Sequence, residues 1–258
     1  MELTREPPAD PAATVLVAAP AARVASLAGP LRALGLRVLE APVVATAPAE
    51  VGGELDQALA GAPFDWVAFT SPRGVDAVAA RCLALGVPAA SLARRTAAVG
   101  PATAAAARAA GFVDPAVPPE FETEAIPQVM GPLEGARVLL ARADVAPDAL
   151  DRELAALGAR VTRVSAYRTY RAEAGVDARE AAEARWVVFT SASAVRFLAQ
   201  ELGAPAWAAL RARATALCIG RVTADAASGA GFGRVLAARP HTEQALVSLV
   251  REEVGPHG

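Results

Sequence analysis

The residues best suited to chemistry in this sequence lie in short polar segments that follow apolar strands. These segments are Thr70-Ser71, Gly100-Pro-Ala-Thr103, Thr190-Ser191-Ala-Ser193 and Gly220-Arg-Val-Thr223. Each one opens directly into a predicted helix, whose N-terminus offers free N–H groups and a partial positive charge. A hydroxyl at such a position either caps the helix or helps to bind an anion. Because four such segments recur in equivalent positions, we favour a shared ligand that carries carboxylates or phosphates.

Arginine and tyrosine side chains supply the remaining candidates. Arg73, Arg142 and Arg221 follow strand ends, where a guanidinium could bind a carboxylate through two hydrogen bonds, although a single exposed arginine is often only solvated. Tyr167 lies in a β-prone segment, and its phenol can donate a proton or a hydrogen bond without a metal. Packing against a lobe is the alternative role for that tyrosine.

Composition excludes several classes of enzyme. The sequence contains no lysine, so it cannot form a Schiff base or a Walker-type phosphate loop. His241 and His257 are the only imidazoles, Cys82 and Cys218 lie far apart in apolar surroundings, and no spacing is typical of a metal site. We interpret both cysteines as small buried side chains. The net charge of -2 argues against a nucleic-acid-binding surface.

The elements that must position these residues occur twice. Residues 64–71 match residues 184–191, and residues 98–104 match residues 218–224, in both cases about 120 positions later. A leading strand–helix–strand unit also recurs, in residues 15–39 and 138–162. Thr123-Glu124 likewise recurs as Thr242-Glu243. Four elements that repeat in one order at a nearly constant offset indicate an internal duplication.

The pattern predicts an α/β fold with two doubly wound, flavodoxin-like parallel-sheet lobes joined by a two-stranded β hinge. Short Val/Leu/Phe runs without alternation are typical of strands buried on both faces, and alanine-rich helices connect them. We expect a first lobe of residues 14–41 plus 172–258, hinge strands at 42–48 and 164–171, and a second lobe of 49–163. Parallel sheets bind ligands beyond the carboxyl ends of their strands, so we expect the site in the cleft between the lobes.

The N-terminal segment is polar, acidic and rich in proline, so residues 1–13 are predicted to be a disordered tail. The apolar run that follows it is too short for a signal peptide, and no stretch reaches the length of a membrane span. We therefore expect a cytoplasmic protein that binds neither membranes nor nucleic acid.

Taken in order, the motifs resemble those of the uroporphyrinogen-III synthase family. They are Phe69-Thr-Ser-Pro-Arg-Gly-Val75, Val99-Gly-Pro-Ala-Thr103, Ser165-Ala-Tyr-Arg-Thr-Tyr170, Phe189-Thr-Ser-Ala-Ser193 and Ile219-Gly-Arg-Val-Thr-Ala224. The resemblance covers residues 15–250 and implies a lyase that needs no cofactor and no metal. Linear hydroxymethylbilane would lose its hydroxyl, form a spirocyclic intermediate and close with ring D inverted to give uroporphyrinogen III.

The resemblance also implies roles for individual residues. Tyr167 would assist loss of the hydroxyl, Thr103 and Thr223 would line the cleft, and Ser71 and Ser193 would help to hold acetate or propionate groups. The remaining substrate-binding candidates are Thr70, Arg73, Gly100, Arg142, Ser191, Gly220 and Arg221. The pair Arg221-Val222 is bulkier than the small pair that is commoner in the family.

We expect a monomer whose small-molecule partner is hydroxymethylbilane and which makes transient contact with hydroxymethylbilane synthase. A two-lobed module that binds or senses an anion or tetrapyrrole without catalysis is the alternative. Such modules also occur in DNA-binding regulators, but the sequence ends at Gly258 with no basic helix-turn-helix segment.

Overall fold

A computed structural model describes residues 14–255 of the 258-residue chain, so the predicted tail at residues 1–13 lies outside the described residues. The chain divides into two compact units. Of the described residues, the first unit contains 14–45 and 170–255, and the second unit is Thr46–Thr169. The predicted lobes, 14–41 plus 172–258 and 49–163, stay a prediction.

The first unit is built around a parallel sheet. Its elements are β1 (Thr14–Pro20), α1 (Ala21–Arg32), the first part of β2 (Arg37–Pro48), α7 (Ala178–Glu183), β8 (Trp186–Phe189), α8 (Ala192–Arg213), β9 (Thr215–Cys218), α9 (Arg221–Gly229), β10 (Arg234–Ala237) and α10 (Glu243–Val254). The strand order is β10-β9-β8-β1-β2. Helix α8 is interrupted at Gly203, whose positive φ of 70° suits glycine.

The second unit is built around another parallel sheet. Its elements are α2 (Glu54–Ala60), β3 (Phe64–Phe69), α3 (Pro72–Leu85), α4 (Ala89–Leu92), β4 (Ala93–Ala98), α5 (Pro101–Ala109), β5 (Pro115–Ala116), a 3₁₀ helix (Thr123–Val129), β6 (Arg137–Ala143), α6 (Ala149–Ala156) and most of β7 (Arg160–Arg171). The strand order is β7-β6-β3-β4-β5. The alternation of strands and helices confirms the predicted α/β class with parallel sheets.

Strands β2 and β7 carry the chain between the units, and each is longer than the sequence indicates. The sequence predicts a short lobe strand followed by a separate hinge segment at 42–48 and at 164–171. The structure instead has one continuous strand of 12 residues in each place. No glycine or turn dipeptide interrupts either segment, so the extended backbone continues without a break.

Each sheet is covered on both faces by apolar side chains. In β1, Leu16 and Ala18 pack with one cluster while Val15 and Val17 pack with the other, as the alternation of a strand requires. The second unit has the same two-sided arrangement. Burial of one large apolar side chain contributes about 1.5–3 kcal/mol.

The two units also share an aromatic contact at the same place in the repeat. Phe69 and Phe112 meet edge to face at 4.9 Å in the second unit, and Phe189 and Phe232 meet at 5.8 Å in the first. The internal duplication therefore extends to the packing of the cores.

Within residues 14–255, no helix is both long enough and apolar enough to cross a lipid bilayer.

Candidate active site

Strand register gathers several predicted site residues at one edge of the second unit's sheet. Phe69 of β3 is paired with Ala98 of β4 on one side and with Ala141 of β6 on the other. The residues that follow these three strand positions therefore emerge at the same carboxyl edge. Those residues are Thr70 and Ser71 after β3, Gly100 after β4 and Arg142 at the end of β6.

Tyr167 lies beside this edge, in contact with two of the other candidates. Its Oη is 3.5 Å from the Oγ of Ser71, and either hydroxyl can be the donor. The guanidinium carbon of Arg73 lies 5.8 Å from the centre of the Tyr167 ring, within range of a cation–π interaction. The second unit thus brings a phenol, an alcohol and an arginine together.

Ser71 owes its position to the start of helix α3. It is the N-cap residue, and its Oγ accepts a hydrogen bond of 3.1 Å from the N–H of Gly74. A Cβ at Gly74 would lie 3.2 Å from the carbonyl oxygen of Ala141, so glycine lets the helix approach β6 closely. Because Oγ also has a proton to donate, Ser71 can cap the helix and contact Tyr167 together.

A cavity of about 300 Å³ opens next to Tyr167 and Arg73. Its walls are the end of β2, one side of helix α3 and the segment of β7 at Ala166 and Tyr167. Small side chains such as Ala77 and Ala80 leave this space open. A larger cavity of about 530 Å³ in the first unit lies beside α10 and contains none of the predicted site residues.

Arg142 is buried, with 6% of its surface exposed. Its Nη1 donates a hydrogen bond of 2.8 Å to the carbonyl oxygen of Pro147 and lies 3.9 Å from Oδ1 of Asp151. Its Nε has no hydrogen-bond partner among the described residues. Burial lowers the pKa of Arg142, and the nearby Asp151 opposes that shift. The contacts that the structure gives this arginine are to the loop after β6 and to helix α6, and its substrate role stays a prediction.

Gly100 and Thr103 lie at the start of helix α5. Gly100 is the N-cap, and a Cβ there would lie 3.4 Å from the Cβ of Phe121. Thr103 is buried, with 3% of its surface exposed, whereas Phe121 is 54% exposed. An exposed aromatic ring therefore covers the glycine, a feature that sequence reasoning missed.

In the first unit, Ser191 and Ser193 stand close together at the start of helix α8. Ser191 is the N-cap and accepts a hydrogen bond of 3.2 Å from the N–H of Ala194. The Oγ atoms of Ser191 and Ser193 are 3.0 Å apart. The neighbouring Thr190 is buried, and its Oγ1 has no hydrogen-bond partner within residues 14–255.

The second glycine segment repeats the arrangement around Gly100. A Cβ at Gly220 would lie 3.0 Å from the imidazole ring of His241, which takes the place that Phe121 has in the other copy. Thr223 is buried like Thr103, while the Arg221 side chain is 76% exposed and lies 3.9 Å from Asp225. Gly100 and Gly220 are 120 residues apart, as are Phe121 and His241. The internal repeat was therefore the sequence signal that could have predicted the rings over these glycines.

The two copies of the repeat differ in the side chain at the position of Tyr167. A register shift interrupts the pairing of β1 with β2 after Ala18, and a matching shift interrupts the pairing of β6 with β7 after Arg142. Beyond these shifts Pro20 is paired with Val44, and Ala143 is paired with Tyr167. The tyrosine therefore occupies the position that a buried valine has in the other copy.

A family model for uroporphyrinogen-III synthase HemD matches residues 25–248, which is most of the chain. This protein belongs to the uroporphyrinogen-III synthase family. Members of this family take part in tetrapyrrole biosynthesis. All twelve predicted site residues lie inside the matched range.

Solved structures agree with this assignment at the level of the fold. A mutant uroporphyrinogen III synthase from the extremely thermophilic bacterium Thermus thermophilus is 24% identical and superposes with a TM-score of 0.67, over 93% of this chain and 98% of that chain. Uroporphyrinogen-III synthetase from Helicobacter pylori 26695 is 17% identical, with a TM-score of 0.56, over 92% of this chain and 97% of that one. No curated protein sequence matches the chain.

Proposed function

We propose that this member of the uroporphyrinogen-III synthase family converts hydroxymethylbilane into uroporphyrinogen III and water. The observation that carries the proposal is the contact of Tyr167 with Ser71 and Arg73 at the carboxyl edge of the second sheet. Family membership supplies the substrate class, and the cluster supplies a donor where the fold binds ligands.

In this proposal Tyr167 assists departure of the substrate hydroxyl. The carbon–oxygen bond breaks while the phenol donates its proton, so the hydroxyl leaves as water, and the pyrrole nitrogen supplies electrons to the carbon. Ser71 can then donate to the phenolate oxygen across the 3.5 Å contact. The guanidinium of Arg73 lies near the ring, where a cation–π interaction helps to hold the ring in place.

The next steps require control of geometry more than further acid–base chemistry. The substituted carbon of ring D attacks the cationic carbon, a spirocyclic intermediate forms, and fragmentation with reclosure leaves ring D inverted. Holding the two ends of the bilane close together is a proximity effect of the kind that accelerates intramolecular reactions. The cavity of about 300 Å³ beside Tyr167 is large enough for one pyrrole ring with its side chains, and not for the whole bilane.

Carboxylates on the substrate need cationic or N–H partners. Exposed Arg73 and Arg221 can supply charge, and helices α3, α5, α8 and α9 begin at strand ends with free N–H groups. We assign Thr70, Ser71, Gly100, Thr103, Ser191, Ser193, Gly220 and Thr223 to this binding role.

The reaction class is that of a lyase that eliminates water and forms a ring. The conversion involves no net oxidation or reduction, and the leaving hydroxyl needs only a proton donor together with the electrons of the pyrrole. The chemistry therefore proceeds with side chains alone, and we infer that no cofactor takes part.

The same proposal describes a cytoplasmic monomer that receives its substrate from hydroxymethylbilane synthase. The bilane closes unaided to the non-inverted type I isomer, so rapid transfer between the two enzymes limits formation of that isomer. Transient contact is sufficient for this purpose.

The test couples the purified protein to hydroxymethylbilane synthase and separates the oxidised porphyrin isomers by chromatography. We expect the type III isomer with the protein present and the type I isomer without it. Pretreatment of the protein with a chelator followed by gel filtration should leave the result unchanged. Type I alone in the presence of folded protein would contradict the proposal.

A further inference from the structure

Strand β7 continues past the end of its neighbour β6. Beyond that end, Asp144 makes the hydrogen bonds to β7. Strand β6 ends at Ala143, whereas β7 runs on to Arg171. Asp144 then donates its N–H to the carbonyl oxygen of Tyr167 at 3.2 Å. Its Oδ1 accepts a hydrogen bond of 2.9 Å from the N–H of Thr169.

These two hydrogen bonds hold the backbone on the C-terminal side of Tyr167. The carbonyl of Tyr167 and the N–H of Thr169 enclose one residue, Arg168, so the contacts at both ends fix its backbone orientation. Because side chains alternate along a strand, a rotation of this segment would carry the Tyr167 ring away from Ser71 and Arg73. Asp144 Oδ1 also accepts from the N–H of Val145, which fixes the carboxylate itself.

The other copy of the repeat has no such carboxylate. The matching register shifts pair Pro20 with Val44 and Ala143 with Tyr167, so the residue equivalent to Asp144 is Ala21. Alanine offers no side-chain acceptor. A carboxylate that supports this strand therefore occurs in the copy that carries the tyrosine, and the copy with Val44 has none at the equivalent position.

We propose that Asp144 is a positioning residue that holds Tyr167 against Ser71 and Arg73 for loss of the substrate hydroxyl. This inference rests on the proposed function, since it requires that the phenol act in the reaction. Asp144 acts through the β7 backbone and does not touch the substrate. Its loss should therefore lower kcat and leave KM nearly unchanged.

Three single variants separate positioning from general damage to the loop. Asp144→Ala removes the acceptor and should lower kcat several-fold, by no more than Tyr167→Phe does, since Asp144 acts through the position of the phenol. Asp144→Asn keeps an oxygen acceptor at Oδ1 and should retain most of the wild-type kcat. Asp148→Ala is the matched control, because Asp148 lies in the same loop, is exposed and pairs with Arg152.

A double variant tests whether Asp144 acts through Tyr167. If it does, Asp144→Ala combined with Tyr167→Phe should be no slower than Tyr167→Phe alone, because the phenol that Asp144 positions is already absent. Additive losses would overturn the proposal, as would an Asp144→Asn variant as slow as Asp144→Ala. So would equal activities of Asp144→Ala and Asp148→Ala.

Isomer analysis of the wild-type protein distinguishes failure of the proposed function from failure of the positioning role of Asp144. Wild-type protein that yields no type III isomer refutes the proposed function and the inference that rests on it. Wild-type protein that yields type III while Asp144→Ala keeps full kcat refutes the positioning role alone. Thermal unfolding of each variant shows whether a loss of kcat reflects loss of the fold.

Discussion

In the proposed mechanism Tyr167 donates a proton, and two side chains contact it. The hydroxyl of Ser71 offers a hydrogen-bond partner at 3.5 Å, and Arg73 places positive charge over the ring at 5.8 Å. A cation–π contact of this kind contributes about 0.5–1 kcal/mol at an exposed site. Tyr167 and Arg73 also line the cavity of about 300 Å³.

Replacement of Tyr167 by phenylalanine should slow formation of uroporphyrinogen III several-fold or more and leave the melting temperature nearly unchanged. The ring and its stacking with Arg73 remain, and only the donor is lost. Tyr170→Phe is the matched control, because Tyr170 lies in the same strand and is half exposed. Equal turnover of the two variants would remove the phenol from the mechanism.

At the residue scale, the sequence named Tyr167 and Ser71 as candidates, and it did not predict the contact between them. The motif around Tyr167 and the capping serine at Ser71 are local signals, and the structure places both together. The contact between them joins residues 96 positions apart and depends on the register shift after Arg142. Such a shift has no sequence signature, so the supporting role of Asp144 was not predictable either.

Among the elements, helices α2 and α3 are joined by one well-formed ion pair. Nε and Nη2 of Arg81 donate to the two carboxylate oxygens of Asp56 at 2.7 and 2.6 Å, and the N–H of Gly52 donates to the same carboxylate. The hydrogen bond from Arg81 is the main cause of a lowered pKa for Asp56. Arg81 also lines the cavity next to Tyr167, so this pair supports one of its walls.

The stabilisation from Asp56 should depend on pH in a defined direction. Its folded-state pKa lies below the ordinary value of 3.8, so its contribution is complete above that pH and is lost as the pH falls through the folded value. Asp56→Asn should lower the melting temperature by a few degrees at neutral pH, and the difference should shrink on acidification below 3.8. Circular dichroism melts at several pH values measure this.

Asp114→Asn provides the control for that series. Asp114 pairs with Arg108, but its side chain is 80% exposed, so water screens the interaction. Its melting temperature should stay close to that of the wild type throughout. A constant difference between Asp56→Asn and the wild type across the acid range would contradict the assigned role of the carboxylate.

At the element scale, the order of strands and helices was predictable, whereas some of their lengths were not. Buried apolar runs and alanine-rich helices carry strong local patterns. The sequence analysis split strands β2 and β7 into a lobe strand and a hinge segment, whereas each is continuous in the structure. No turn residue marks where a lobe strand ends and a hinge segment begins. Sequence reasoning also missed the 3₁₀ helix at Thr123–Val129, which contains a proline and no helical repeat of apolar residues.

For the whole molecule, the central feature is a duplicated unit in which one copy carries chemical groups that the other lacks. Both copies keep a capping serine, a glycine covered by a ring and a buried threonine at helix starts. Only the second unit pairs these with Tyr167, where the first unit has Val44. The duplication was visible in the sequence because its offset is nearly constant, while the equivalence of Tyr167 and Val44 required the strand register.

Catalysis of the ring-inverting closure is tested most directly by the isomer composition of the product. Hydroxymethylbilane should be supplied by hydroxymethylbilane synthase with increasing amounts of this protein, and the oxidised porphyrins should be separated by chromatography. The fraction of the type III isomer should rise with the protein concentration until type I is nearly absent. A product that stays type I at every concentration, even with tight binding of the tetrapyrrole, would contradict catalysis and leave a binding module.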